Sequence, residues 1–298
     1  MKYVLVSDLR TKGKFRLFPS TAYSISPLDH GILYGDGVFE GIRIYNGRIF
    51  KLKEHLNRLW KSAAYIGMKV PFSKEQLSKA VASLARKNKI FNGYCRLVIT
   101  RGIGDLGISP RKCSMPTTFI IVDQIMLYPQ EYYENGLPII ISSIPKIPRE
   151  CLNPNAKVCH YESNIRAMQE ALRKGAREAI MLDTKGFLAE CTGDNIFLVK
   201  GKTLHIPTTR NILAGITRET VIGIAKRMGL KVNERDIKPA ELFMVDEVFL
   251  TGTGAEIIAV NKINSRKIGS GKAGPITLKI LRMFRAETLN PKNSYPIQ

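Results

Sequence analysis

The sequence lacks long apolar runs, paired cysteines and clustered histidines. Apolar stretches such as residues 119–122 fall far short of the ~20 residues that a membrane-spanning helix needs. The five cysteines show no Cys-x-x-Cys spacing, and the four histidines form no His-Glu-x-x-His pattern. We therefore expect no transmembrane span, no disulfide framework and no metal site.

The first sixteen residues hold charged side chains throughout, from Lys2 to Arg16, and leave no room for an apolar secretion segment. An odd number of well-spread cysteines is typical of reduced thiols. Together these features predict a cytoplasmic location.

Acidic residues are scarce: 25 Asp and Glu stand against 46 Lys and Arg, a formal charge of +21. Such an excess points first to nucleic acid, an anionic membrane or acidic small molecules. The cations are scattered, however, and no RNA-recognition, zinc-finger or helix-turn-helix pattern appears. A basic nucleic-acid-binding protein is kept as a distant alternative, and the sequence predicts neither a nucleic-acid nor a membrane partner.

The chain has 298 residues, with 44% hydrophobic and 24% charged, which is typical of a folded protein and long enough for two domains. We expect an α+β architecture. The patterns predict a small N-terminal α+β domain over 1–123, a link over 124–136 and a large domain over 137–298.

Local patterns place the elements of both parts. Asn46-Gly47 predicts a hairpin turn, and Ser73 with Gln76 predicts a capping box at the start of a helix. The predicted helices are 53–68, 73 to about 84, 161–174 and 217–228. The predicted strands are 2–7, 15–19, 43–45, 49–51, 94–100, 117–122, 137–142, 179–183, 195–199, 202–206, 231–234, 247–251 and 256–260.

One glycine motif looks like a dinucleotide site. Residues 102–107 read G-x-G-x-x-G after a predicted strand, and Asp123 follows about twenty residues later. A dinucleotide fold needs a helix inside that glycine run, but Pro110 and Pro116 follow instead. We therefore interpret the glycines as an exposed loop and not as a nicotinamide or flavin site.

Two small-residue segments are candidate anion sites. Residues 213–218 place a glycine and an N-cap threonine, Thr217, before a predicted helix, where free N–H groups and the helix dipole favour phosphate. Residues 251–256 form a second small-residue loop at a strand end. Taken alone, the first segment is also compatible with ordinary helix capping and the second with a plain turn.

The order of motifs resembles the class IV, or fold type IV, pyridoxal-phosphate aminotransferases, and most closely the branched-chain amino acid aminotransferases. The resemblance covers nearly the whole chain. The matching segments are 29–31, 34–43, 55–59, 101–107, Lys157 with Tyr161, Glu190 with 195–197, 213–218, 251–256 and 274–277.

The resemblance implies a smaller N-terminal α/β domain and a larger β-barrel-like C-terminal domain, with pyridoxal 5'-phosphate in the cleft between them. It implies transfer of the amino group of L-leucine, L-isoleucine or L-valine to 2-oxoglutarate through a Schiff base on Lys157. Relatives are homodimers or larger, so we expect a homo-oligomer, with Tyr34 acting across an interface.

The resemblance also assigns roles to single residues. Lys157 would bind the cofactor and move the substrate's α-proton, since a lysine beside apolar neighbours can act as a nucleophile and base. Glu190 would pair with the pyridine nitrogen and keep the ring an electron sink. The other implied cofactor-binding residues are Arg58, Tyr161, Leu213, Ile216, Thr217 and Thr253. The implied substrate residues are Tyr34, Phe39, Tyr94, Arg96, Thr253, Gly254 and Ala255.

An aromatic pocket with one arginine suits an enzyme that must accept both a branched aliphatic side chain and the γ-carboxylate of glutamate. The sequence departs from the family at His160, Cys191 and Gly254, which leaves the substrate range open. D-Amino acid aminotransferase and 4-amino-4-deoxychorismate lyase of the same fold are the alternatives. The first carries Arg-x-His where this chain has Arg111-Lys112-Cys113, and the second lacks the Gly-Asp-Leu-Gly loop.

Overall fold

A computed structural model describes all 298 residues, which divide into two compact units. Unit 1 comprises Met1–Ile125, Ala156–His160 and Thr288–Gln298; unit 2 comprises Met126–Asn155 and Tyr161–Glu287. Two short segments from the second half of the sequence therefore belong to unit 1. The sequence-based domain boundaries at 123 and 137 stay a prediction.

Unit 1 is built on a seven-stranded sheet with the order β16-β4-β3-β5-β6-β1-β2. Its three long central strands are buried along most of their length. The strands are β1 (Tyr3–Ser7), β2 (Arg16–Pro19), β3 (Gly37–Tyr45), β4 (Arg48–Phe50), β5 (Gly93–Thr100), β6 (Thr117–Asp123) and β16 (Ser294–Pro296).

Three helices belong to unit 1: α1 (His30–Tyr34), α2 (Leu52–Tyr65) and α3 (Lys74–Asn88). The predicted capping box is present, because Ser73 accepts from Gln76 N and the Gln76 side chain accepts from Ser73 N. The stripe Leu56, Leu59, Leu77 and Leu84 is buried, as its helical spacing predicts. The hairpin at Asn46-Gly47 is confirmed between β3 and β4, with both turn residues at positive φ.

The glycine run 102–107 forms a loop, which confirms that it is not a dinucleotide fingerprint. No α-helix follows it before β6, only a short 3-10 turn at Pro110–Lys112. Gly102 has φ +96°, and a Cβ there would lie 1.8 Å from the Met115 carbonyl oxygen. The glycine is therefore needed for a turn packed against backbone.

Unit 2 contains a nine-stranded mixed sheet with the order β12-β11-β10-β13-β14-β7-β8-β9, and β15 pairs with β14. Parallel pairs are β7 with β8, β7 with β14 and β11 with β12. The strands are β7 (Leu137–Ile141), β8 (Glu178–Leu182), β9 (Leu188–Cys191), β10 (Asn195–Lys200), β11 (Thr203–Ile206), β12 (Lys231–Glu234), β13 (Glu247–Gly252), β14 (Glu256–Ile263) and β15 (Arg266–Lys267).

The helices of unit 2 are α4 (Gln130–Asn135), α5 (Glu162–Arg173), α6 (Ile216–Arg227) and α7 (Pro275–Thr288), the last of which ends at the first residue of unit 1's terminal segment. Gly175 and Gly229 follow α5 and α6 in the left-handed conformation, as predicted for helix stops. None of the helices is long and apolar enough to span a bilayer.

The prediction that Thr217 caps α6 is wrong. The N-cap is Gly215, and Thr217 is the second helical residue, 5% exposed. The helix begins early because the Asn195 side-chain amide donates to the Leu213 carbonyl, and its Oδ1 lies where a Gly215 Cβ would be. The N–H of Thr217 therefore belongs to the open first turn.

Candidate active site

Lys157 lies on a short extended segment that adds to β3. Phe39 N donates to the Lys157 carbonyl at 3.1 Å, and Cys159 N donates to the Gly37 carbonyl at 2.9 Å. Lys157 N also donates to Ser62 Oγ on α2 at 2.9 Å. Backbone bonds to a buried strand and a buried helix thus fix the position of the lysine.

The Lys157 side chain contacts Phe39, one of three predicted substrate residues on the same sheet face. Its Nζ lies 4.5 Å from the centre of the Phe39 ring, and the Arg96 guanidinium lies 4.5 Å from the same ring. The register of β3 and β5 opposes Gly41 to Arg96 and Arg43 to Tyr94, so Phe39, Tyr94 and Arg96 share one face of the sheet. The Tyr94 hydroxyl occupies the space that a Cβ at Gly41 would take.

Arg58 is held by a buried carboxylate. Its Nε and Nη2 donate to Glu40 Oε1 and Oε2 at 2.7 and 2.8 Å, and His55 Nδ1 lies 2.7 Å from Oε2. Burial of Glu40 would raise its pKa, but Arg58 and His55 more than offset this, and the pKa falls to about 2. Glu40 therefore stays ionised and orients the Arg58 fork.

Two further residues named in the sequence analysis, Tyr34 and His160, belong to unit 1. Tyr34 donates to the Leu106 carbonyl and stacks edge-on against His30, with ring centres 5.0 Å apart. His160, one of the departures, is exposed and packs its ring over Gly35. The structure therefore groups Lys157 with Phe39, Tyr94 and Arg96, and groups Tyr34 with the glycine loop.

In unit 2, Glu190 is a buried carboxylate at the end of β9 with three donors. Lys146 Nζ lies 2.9 Å from Oε1, while Leu213 N and Asn195 Nδ2 donate to Oε2 at 3.1 and 3.2 Å. Burial would lower the pKa of Lys146, but its pairing with Glu190 outweighs burial and raises it; Tyr161 adds to the increase. The Lys146 cation thus faces the Glu190 carboxylate over the ordinary pH range.

The first turn of α6 is left without a side-chain cap. Ala214 N donates to Asn155 Oδ1 at 3.1 Å. The first intrahelical bond runs from Glu219 N to the Gly215 carbonyl, so the N–H groups of Ile216, Thr217 and Arg218 have no helical acceptor, and no side chain caps the helix. Gly215 adds no Cβ beside them. The local geometry therefore presents N–H groups and the positive end of the helix dipole to an anion.

The turn after β13 lies beside the strand that carries Asn195. Thr251 is paired with Asn195 in the β10–β13 register, and a Cβ at Gly252 would lie 1.8 Å from Asp194 Oδ1. Thr253 and Gly254 are half-buried, and the Ala255 carbonyl accepts from the Tyr133 hydroxyl at 3.0 Å. The turn at 253–255 therefore follows a strand end that lies beside Asp194 and Asn195.

Two further predictions fall in this unit. Tyr161 immediately precedes α5, close enough to Lys146 to act on its pKa. Cys191, the second departure, is 1% exposed in the apolar core of unit 2, and burial raises the pKa of its thiol well above the ordinary value. Cys191 is therefore a packing residue next to Glu190.

Sequence reasoning missed three residues that hold these groups: Glu40, Lys146 and Asn195. Glu40 stood inside a matched motif without a role, and its only local signal was a carboxylate in an apolar strand. Lys146 is 44 positions from Glu190, and no periodicity links the two. Their pairing becomes visible only when the strands are assembled.

Residues 37–263 match the family model described as "Amino-transferase class IV". The chain is also 44% identical over 262 residues to a "Putative branched-chain-amino-acid aminotransferase" of Methanocaldococcus jannaschii, which covers 88% of this chain and 90% of the relative. The chain therefore belongs to the class IV aminotransferase family.

Solved structures identify the nearer group within that family. The chain resembles the T.th. branched-chain amino acid aminotransferase with pyridoxamine 5'-phosphate, with a TM-score of 0.92, 33% identity and coverage of 99% and 98% of the two chains. For the same enzyme complexed with N-(5'-phosphopyridoxyl)-L-glutamate, the TM-score is 0.91 at 32% identity, with the same coverage. These likenesses confirm the predicted fold type IV architecture.

Glu40→Gln should destabilise the protein strongly at neutral pH. The substitution leaves the Arg58 charge, 11% exposed, without its anion, and breaking a buried pair costs about 3–5 kcal/mol. Urea unfolding followed by far-UV circular dichroism measures the loss. Glu75→Gln, which removes a fully exposed carboxylate, is the control and should leave the midpoint almost unchanged.

The Glu40–Arg58 pair also makes the stability of the protein depend on pH. Because folding lowers the pKa of Glu40 from 4.5 to about 2, its stabilisation is full above pH 4.5 and is lost as pH falls toward 2. The stability gap between wild type and Glu40→Gln should therefore narrow over that range. A gap that stays constant down to pH 3 contradicts the assignment.

Lys146→Met should destabilise unit 2 because it leaves Glu190 buried without a cation, at a cost of about 3 kcal/mol. Lys146→Arg keeps the charge and should recover most of the loss. Since folding raises the pKa of Lys146, the wild-type advantage should persist at neutral pH and decline only above the ordinary lysine value of 10.5. Unfolding curves of the apoprotein at pH 7 and pH 11 provide the measurement.

Proposed function

We propose that this chain is a pyridoxal-phosphate-dependent aminotransferase that moves the amino group of L-leucine, L-isoleucine or L-valine to 2-oxoglutarate. The observation that carries the proposal is the fixed Lys157 ammonium, 4.5 Å from the Phe39 ring and on the sheet face of Tyr94 and Arg96. Family membership and the likeness to branched-chain enzymes support it.

The residues present fit the cofactor. The open first turn of α6, with buried Thr217 and no Cβ at Gly215, suits a phosphate dianion, and Arg58 adds a guanidinium. Glu190, held by Lys146, suits a protonated pyridine nitrogen. Leu213, whose N–H donates to Glu190, would pack on the face of the cofactor ring. Tyr161 would hydrogen-bond the phenolic oxygen. Ile216 and Thr253 would contribute to the phosphate-binding site.

When bound, pyridoxal phosphate supplies a carbonyl that accepts an amino group and a ring that stabilises negative charge at the substrate's α-carbon. Lys157 Nζ would hold the cofactor through that carbonyl, whose oxygen leaves as water, and its amine would move a proton from and to the substrate's α-carbon. Glu190 would face the ring nitrogen and favour its protonated form. The backbone bonds of Lys157 to Phe39 and Ser62 orient the amine for both tasks.

Substrate recognition follows from the sheet face of β3 and β5. The rings of Phe39 and Tyr94 provide an apolar surface for a branched aliphatic side chain. Arg96, stacked 4.5 Å from the Phe39 ring, provides a cation for the γ-carboxylate of glutamate or 2-oxoglutarate. The turn at 253–255 is assigned to the α-carboxylate. The apolar rings and the arginine of this sheet face thus serve the two half-reactions in turn.

The proposal includes a homo-oligomer acting in a reducing cytoplasm. The glycine loop and α1 expose large apolar side chains in unit 1: Ile32 at 60%, Leu106 at 73% and Ile108 at 79%. All five cysteines are free thiols. Light scattering on the eluted protein tests the assembly, and a monomeric mass contradicts this part of the proposal.

Lys157→Ala should lower the rate of L-leucine transamination by about a thousandfold or more, because both the covalent anchor and the proton carrier are lost. The direct measurement is borohydride reduction of the holoenzyme followed by peptide mass analysis, which should place the cofactor on Lys157. Lys53→Ala, on the surface of α2, is the control. Cofactor found on another lysine, or D-alanine preferred to L-leucine as donor, contradicts the proposal.

Arg96→Met should raise KM for 2-oxoglutarate about tenfold to a hundredfold, since a charge-assisted hydrogen bond contributes about 1.5–3 kcal/mol. The KM for L-leucine should change little, because its side chain carries no carboxylate. Steady-state kinetics with the monocarboxylate acceptor 2-oxoisocaproate and L-isoleucine as donor form the control. Equal losses with both acceptors assign Arg96 a structural role instead.

A further inference from the structure

Unit 2 contains a cavity of about 500 Å³ that none of the proposed catalytic or cofactor residues lines. It lies between α5 and the segment that follows β7. Its volume is within the range of pockets that bind small molecules. The lining residues are Ser143, Ile144, Arg166, Gln169, Glu170, Arg173 and Lys174.

The cavity wall formed by α5 is strongly cationic. Arg166, Gln169 and Arg173 follow one another at helical spacing and lie on one face of the helix. Arg166 and Arg173 are exposed, and neither forms an ion pair or hydrogen bond with the protein. They lie seven positions apart, about 10 Å along the helix axis. Two guanidinium forks without a carboxylate thus face one concavity.

The carboxylate in the cavity does not neutralise these arginines. Glu170 is 8% exposed and accepts from Ser142 Oγ at 2.7 Å, Ser143 N at 2.8 Å, Ser143 Oγ at 3.1 Å and Lys174 Nζ at 2.8 Å. Burial would raise its pKa, but these donors hold it at about 2. Glu170 therefore ties the 142–144 segment to α5 and fixes both walls of the cavity.

We propose that this cavity is a binding site for a small organic anion that carries phosphate groups, separate from the cofactor site. Arginine forks match phosphate oxygens in bidentate geometry. The Gln169 amide, between the arginines, offers a donor and an acceptor to hydroxyl groups of the same ligand. A concave site of this volume favours a small molecule over a nucleic-acid strand, which needs an extended groove.

The test uses the enzyme saturated with pyridoxal phosphate, so that its own phosphate site is filled. Inorganic pyrophosphate is titrated into wild type and into the double variant Arg166→Gln/Arg173→Gln by isothermal calorimetry. The matched control is Lys279→Gln/Arg282→Gln, which removes two exposed cations from α7, outside the cavity. Circular dichroism and L-leucine transamination confirm that each variant is folded and loaded.

Wild type and control should bind pyrophosphate saturably with the same Kd, and the Arg166/Arg173 variant should bind about tenfold to a hundredfold more weakly, as expected for lost charge-assisted bonds. Citrate, a polycarboxylate of similar charge, should bind more weakly than pyrophosphate. Absence of saturable binding to wild type, or equal Kd values for both double variants, overturns the proposal. The proposal is also overturned if the Arg166/Arg173 variant binds single-stranded RNA more weakly than wild type but binds pyrophosphate with an unchanged Kd. Each outcome rests on a dissociation constant for pyrophosphate, so a failed L-leucine assay would count against the proposed function and not against this site.

Discussion

The burial of the Glu190 carboxylate is the constraint around which the proposed cofactor-binding part of unit 2 is organised. An ionised group removed from water needs donors or a counter-ion close by. Glu190 obtains them from three separate segments: Lys146 after β7, Asn195 at the start of β10 and the N–H of Leu213 before α6. Satisfying one carboxylate therefore fixes where α6 begins, and with it the three open N–H groups of its first turn.

Other buried carboxylates in the fold are also satisfied by nearby hydrogen-bond donors. Glu40 orients Arg58 and His55, Glu178 accepts from Thr192, and Glu247 accepts from the N–H groups of Ile276 and Thr277 at the start of α7. Nine of the 25 acidic residues are buried, whereas Arg218 is the only buried side chain among the 46 lysines and arginines. The interior thus uses carboxylates as acceptors, and the surface keeps the excess of cations.

Short-range patterns could be predicted from the sequence. The capping box at Ser73, the hairpin at Asn46-Gly47 and the glycine stops after α5 and α6 depend on a few adjacent residues. The rejection of a dinucleotide site followed from two prolines.

What could not be predicted depends on long-range pairing. Strand β9, which carries Glu190, is too short to show a period of its own, and the segment before α6 is held by Asn195, which donates to the Leu213 carbonyl from β10. The roles of Lys157 and Glu190 came from the resemblance of ordered motifs, whereas their supporting partners came from the structure.

On α5, Glu170 turns inward to bind serine donors, and Arg166 and Arg173 remain without carboxylates. Exposed cations far apart are screened within about 8 Å at physiological salt, so scattered charge gives no specific site. Only where such cations converge on a concave surface can the excess charge become selective, and α5 meets that condition.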